Sequence, residues 1–200
     1  MSTLEEGTII THHARAIITS QVTGNPLNTP SFPPVFQEKR GIFVTLHTYP
    51  HHHLRGCIGI PYPVMTLKNA LNDAATSVIH DPRFPPLEEK ELDHIIVEVT
   101  ILTPPSQMLV ETPSDLPKHV TIGKDGLIIN LHGRSGLLLP QVPLEQGWDA
   151  EDFLTHLCLK AGLPPDAWFE KKVKLYKFTG QIFTECSPHG EIREKKLDDL

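Results

Sequence analysis

Residues 41–60 read GIFVTLHTYPHHHLRGCIGI. Two runs rich in β-branched and apolar residues stand on either side of a Pro/His stretch that breaks both. Residues 41–49 therefore predict one strand and residues 55–60 a second, short one. A connection this short makes a hairpin, and a hairpin makes the pair antiparallel. A parallel pair needs a crossover of roughly a dozen residues or more.

Upstream, Ser2 and Glu5 have capping-box spacing, and Ile10, Ala14, Ile17, Ile18 and Val22 recur at helical spacing until Gly24. Downstream, Leu67, Ala70, Leu71, Ala74, Ala75, Val78 and Ile79 form the stripe of an amphipathic helix that Pro82 stops. A helical turn over 88–92 leads into a strand over 94–102. Residues 120–122 and 127–131 flank GKDG, whose Asp-Gly pair suits a tight turn, and 136–139 predict a further strand. Asp149 caps a helix with Phe153, Leu154, Leu157 and Cys158 on its stripe, ended by Gly162 and Pro164. Residues 173–183 predict a last strand with a bulge at Gly180. Strands in adjacent pairs, without strict alternation with helices, give an α+β fold: an antiparallel sheet with flanking helices.

The composition narrows the function classes. With 39% hydrophobic residues in 200, a packed core is feasible. Eighteen basic against twenty-four acidic residues give a net charge of −6, which disfavours nonspecific nucleic-acid or membrane binding. Cys57, Cys158 and Cys186 are odd in number and widely spaced, with no C-x-x-C, as in a reducing cytosol. The start, MSTLEEGTII, has no signal-peptide core, and the apolar runs fall short of the roughly 20 residues that span a bilayer. A cytoplasmic protein is expected, with one domain over 2–188 and a charged, flexible tail over 189–200.

Within LRGCIG, strand alternation puts Arg55, Cys57 and Gly59 on one face and Leu54, Gly56, Ile58 and Ile60 on the other. A guanidinium beside a thiol favours the thiolate, so Cys57 is a candidate nucleophile or redox group and Arg55 an anion binder. Gly56 and Gly59 leave room for a ligand or another backbone. The competing reading makes Cys57 a small core residue with glycines that only relieve packing. The neighbouring histidines, His51 to His53, point apart and read as a solvated turn; no metal site is predicted. His47, on the preceding strand, is the better base near Cys57.

Arg83, in DPRF (81–84), is not needed to stop a helix and is free to line a cleft, whereas Asp81 satisfies loop amides. Glu98 interrupts an apolar strand, so it is either solvent-exposed or buried with a partner such as Arg55 or Arg83. Arg134 falls in a glycine-flanked hairpin loop, followed by Gln141, and both are candidate ligand contacts. Walker, G-x-G-x-x-G, H-E-x-x-H and G-x-S-x-G signatures are absent.

LRGCIG (54–59), DPRF (81–84), IVEVTIL (96–102), GLLLPQV (136–142), the WD…FL segment (148–154) and KAGL before W (160–168) together resemble the AMME chromosomal region gene 1 protein family. The resemblance runs from the first helix to about residue 183. It implies two unequal subdomains with LRGCIG near the cleft between them, and a genomic association with Memo-type and radical-SAM proteins. It implies no settled activity and no cofactor. Two readings follow. One is an enzyme or small-anion binder, with Cys57 and Glu98 catalytic and Arg55, Arg83, Arg134 and Gln141 holding an anionic small molecule or nucleotide. The other is a noncatalytic adaptor for Memo-type or radical-SAM partners.

Overall fold

The computed structural model describes residues 2–27 and 32–195. Part of the Pro-rich loop predicted after the first helix, 28–31, and the last five residues of the predicted tail lie outside them. The described residues divide into two compact units, 2–103 with 181–195, and 104–180. Both are α+β with antiparallel sheets, as the hairpin at 41–60 predicts.

In the first unit, helix α1 (Leu4–Thr23) is capped by Thr3, whose side chain accepts from the Glu6 amide while Glu6 reaches back. The capping box thus sits one residue later than the Ser2/Glu5 spacing suggests. Ser2 instead bonds Gln181 through its backbone, 179 residues away. Gly24 ends the helix at φ 73°, where a side chain would be strained. Strands β1 (Ile42–Thr48) and β2 (Leu54–Ile60) form the predicted hairpin. Helix α2 (Leu67–Val78) follows, and a 3-10 segment, Glu89–His94, leads into β3 (Ile95–Leu102).

Alternation then sorts the side chains. Ile42, Val44 and Leu46 of β1 and Ile95, Val97, Val99 and Ile101 of β3 are buried in one core with the apolar stripes of α1 and α2. Phe43, Thr45 and His47, with Ile96, Glu98 and Thr100, take the face away from those helices. Leu71 in α2 is fully buried in this core, and truncating such a leucine to alanine costs about 2–5 kcal/mol.

The second unit holds β4 (Ser106–Gln107), β5 (Gly126–Leu131), β6 (Arg134–Leu138), α3 (Gln141–Gln146), α4 (Ala150–Lys160) and β7 (Lys174–Phe178). Its sheet has the order β4-β7-β5-β6. Asp149 caps α4, and Phe153, Leu154, Leu157 and Cys158 pack on Leu127, Ile129, Leu131 and Leu175.

Four sequence expectations change here. Residues 120–122 are not a strand: the Asp125 carboxylate accepts the Thr121 amide at 2.9 Å, and a local turn takes the backbone groups a ladder would have used. The turn between β5 and β6 is His132–Gly133, both at positive φ, so Arg134 begins a strand instead of lying in the loop. The predicted last strand, 173–183, is two strands. β7 belongs to the second sheet, and β8 (Gly180–Glu185) joins the first, whose order is β2-β1-β3-β8-β9. The fifth strand, β9 (Ile192–Lys195), pairs with β8 where a flexible tail was expected. Its alternation, Ile-Arg-Glu-Lys, is short and charged enough to pass for a tail.

Candidate functional site

Across β2, β1 and β3, Cys57, Thr45 and Glu98 stand in one row: Thr45 is the register partner of both the others. Both backbone groups of Cys57 point away from β1. Its N–H donates to the Asp81 carboxylate at 2.8 Å, and its carbonyl accepts from Arg83 Nη2 at 3.2 Å. Cys57 and Thr45 therefore form a non-hydrogen-bonded pair, the kind that brings opposing side chains closest. The Thr45 hydroxyl donates to the Cys57 sulfur at 3.3 Å.

DPRF braces this edge strand. Asp81 takes the Arg83 amide and guanidinium on Oδ1, each at 3.0 Å, and a second guanidinium nitrogen on Oδ2 at 2.6 Å. The hydrogen bonds from Arg83, joined by the Cys57 amide, outweigh burial and hold the Asp81 carboxyl well below the usual carboxylate range. Exposed strand edges template further pairing. Here Asp81 and Arg83 occupy the donor and acceptor positions that another strand would use at Cys57.

Arg55 departs from the sequence expectation. Leu46 pairs with Gly56 but His47 with Leu54, so Arg55 is the extra residue of a bulge. A bulge re-aims its side chain. Arg55 grips Glu91 with two bonds, of 2.7 and 3.0 Å, and donates to the Pro85 carbonyl. Its guanidinium is thus committed to Glu91, while burial pushes Cys57 up and the Thr45 hydroxyl and the Arg83 charge offset only part of that. The glycines also serve packing. A Cβ on Gly59 would lie 2.2 Å from the Phe43 ring, and one on Gly56 would lie 3.0 Å from the Val78 carbonyl.

Glu98 is buried, but its partners are neither Arg55 nor Arg83. His47 Nε2 lies 3.7 Å from one carboxylate oxygen and Lys195 Nζ 3.6 Å from the other. Burial alone raises its pKa; the neighbouring His47 imidazole and Lys195 ammonium outweigh it and hold the carboxyl below its ordinary value. Above these groups is a cavity of about 520 Å³, lined by His47, Glu98, Thr184, Arg193 and Lys195 among others, all of them residues of the first unit. Nδ1 of His47 is buried without a hydrogen-bond partner.

The AMMECR1 family model matches residues 11–183. The chain belongs to the AMMECR1 family. Protein MJ0810 of Methanocaldococcus jannaschii is 56% identical over 196 residues, 98% of either chain. A protein of Methanocella arvoryzae is 50% identical over 200 residues, covering 98% of this chain and all of that one. The crystal structure of the uncharacterized protein PH0010 from Pyrococcus horikoshii superposes with a TM-score of 0.79 at 46% identity, over 96% of this chain and 97% of that one.

Of the residues singled out in this AMMECR1-family chain, the structure brings together Cys57 and Arg83, and places Glu98 one strand beyond Thr45. Arg134 and Gln141 belong to the second unit: Arg134 donates to the Gly162 carbonyl, and Gln141 opens α3. The exposed histidines 51–53 form a turn in which the rings of His51 and His53 stack at 5.9 Å. Among the described residues no group of three His, Cys, Asp or Glu side chains converges as a metal site, and no helix is long and apolar enough to cross a membrane. Sequence reasoning missed Lys195 and Arg193. The one available signal was the alternation in IREK, which puts both cations on one face.

Proposed function

We propose that this protein binds a small molecule in the cavity over β1, β3, β8 and β9, and that Glu98 and His47 supply acid–base chemistry there. The observation that carries the reading is Glu98 itself. It is a buried carboxylate held ionised between two basic groups, neither closer than 3.6 Å, at the wall of a cavity of about 520 Å³. That volume suits a metabolite, since ligand pockets commonly run from about 300 to 1,000 Å³. Carboxylate and imidazole line the cavity 3.7 Å apart, so a ligand hydroxyl or amine seated against them comes within reach of either, and such a pair moves protons efficiently. Cys57, with its pKa raised, acts as a neutral hydrogen-bonding thiol at the end of the same row. The three free thiols support a reducing, cytoplasmic setting.

Soaking crystals with a panel of nucleotides and phosphorylated metabolites tests the reading. Ligand density within hydrogen-bonding distance of Glu98 or His47 is expected, and Glu98→Gln should abolish it. Density that settles reproducibly elsewhere, with the cavity empty, overturns it.

A further inference from the structure

We infer that the cavity takes a phosphorylated small molecule, with Arg193 and Lys195 of β9 as the groups that hold the phosphate. This rests on the small-molecule reading above and adds the charge class of the ligand. Thr184 and Arg193 are register partners on β8 and β9, and Lys195 lies two residues beyond Arg193. Phe183 and Glu185 turn toward the core and α1, so Thr184, Arg193 and Lys195 share the face that carries Glu98 and His47.

The pairing of the arginines separates Arg193 from the rest. Arg15 is matched by Glu185, Arg40 by Glu38, Arg55 by Glu91 and Arg83 by Asp81, and Arg134 donates to a backbone carbonyl. Among the described residues, Arg193 is the arginine without a partner, and it is exposed at the cavity wall. Of the two lining carboxylates, Glu185 is already neutralised by the buried guanidinium of Arg15. That leaves Glu98 against Arg193 and Lys195, with His47 and His52 beside them. On a chain of net charge −6 this is a local positive site. A guanidinium offers phosphate two parallel donors, and an ammonium adds a point charge. The ligand's phosphate would seat on β9, with its remainder reaching across β8 toward Glu98 and His47.

The test uses the full-length, ¹⁵N-labelled protein at constant ionic strength, titrated with pyrophosphate, AMP and adenosine. Pyrophosphate and AMP should shift the amides of Ile96, Thr184, Arg193 and Lys195 saturably. Arg193→Gln should weaken both about tenfold or more, the loss expected for a charged hydrogen bond. Lys171→Gln, which removes one charge from an exposed site in the second unit, should change neither. If adenosine binds these residues as tightly as AMP, the cavity stands as a ligand site and the phosphate inference falls. If AMP and pyrophosphate bind unaltered in Arg193→Gln, or shift amides around Arg83 or Arg134 instead, the inference also falls. If no probe moves the cavity amides, both the inference and the small-molecule reading are overturned.

Discussion

The carboxylate of Asp81 accepts the backbone amide of Cys57 at 2.8 Å, so the loop after α2 closes the outer edge of β2. The two motifs LRGCIG and DPRF are halves of one hydrogen-bonded structure. Asp81→Ala strands the Cys57 amide and frees Arg83, and should destabilise by about 1–3 kcal/mol, the cost of a buried group left unpaired. Urea unfolding at neutral pH measures this directly. Wild-type stability there would show that the brace contributes nothing.

The same contact sets a pH dependence. Asp81 is held below its ordinary value in the folded state, first by Arg83. A depressed carboxylate contributes stability that is fully present above its unfolded pKa, about 3.9, and is lost as pH falls through the folded value. Stability should therefore begin to decline below about pH 5, with a smaller decline in Asp81→Asn. Denaturation midpoints at pH 7, 4 and 3 compare the two proteins; parallel curves would remove Asp81 from the account.

The burial of the three thiols predicts an order of reactivity opposite to the one LRGCIG suggests. Cys186 is exposed, Cys57 is half-buried with its pKa raised by burial, and Cys158 is fully buried and pushed up to about 11. Iodoacetamide at neutral pH should label Cys186 first, Cys57 more slowly and Cys158 last, since the thiolate is the nucleophile. Peptide mass spectrometry over a time course gives the order. Cys57 leading would restore the activated-thiol reading.

Alternation and punctuation made the first sheet's hairpin, both long helices and the buried face of β3 legible, because those features follow from local rules. The site was legible only in part. Glu98 stands out as a carboxylate in an apolar strand, yet its partners His47 and Lys195 come from β1 and β9, and nothing local ties residue 98 to residue 195. Arg55 misled for a related reason: strict alternation puts it beside Cys57, and a single bulged residue turns it to Glu91. The split of 173–183 between two sheets was hidden because both halves read as strand.

Arg15 and Glu185 are a longer-range case, 170 residues apart, both buried and joined by two guanidinium hydrogen bonds. Arg15 also donates to the Leu92 and Ile95 carbonyls, and Glu185 accepts the Val97 amide at 2.8 Å. Arg15→Met leaves Glu185 charged and unmatched and should cost about 3–5 kcal/mol. Adding Glu185→Leu should recover part of that, but not all, because the Val97 amide then lacks its acceptor. Chemical denaturation of the single and double variants closes the cycle; a double variant no better than the single would show that the charge itself is not what destabilises.

Arg55 separates a brace from a ligand contact. Its side chain is 12% exposed, gripped by Glu91, and bonded to the carbonyls of Pro85 and Pro86. Arg55→Lys keeps the charge but loses the two-pronged fit, because an ammonium cannot match the planar fork. The variant should lose about 1–2 kcal/mol of stability, the worth of a charged hydrogen bond less what lysine recovers. If Arg55 serves only the fold, AMP and pyrophosphate should bind Arg55→Lys as they bind the wild type, while Arg193→Gln keeps its stability and binds both about tenfold or more weakly. The two variants thus exchange their effects between an unfolding curve and a titration. A weakened titration in Arg55→Lys, with an unchanged unfolding curve, would return the ligand to the RGC strand and away from β9.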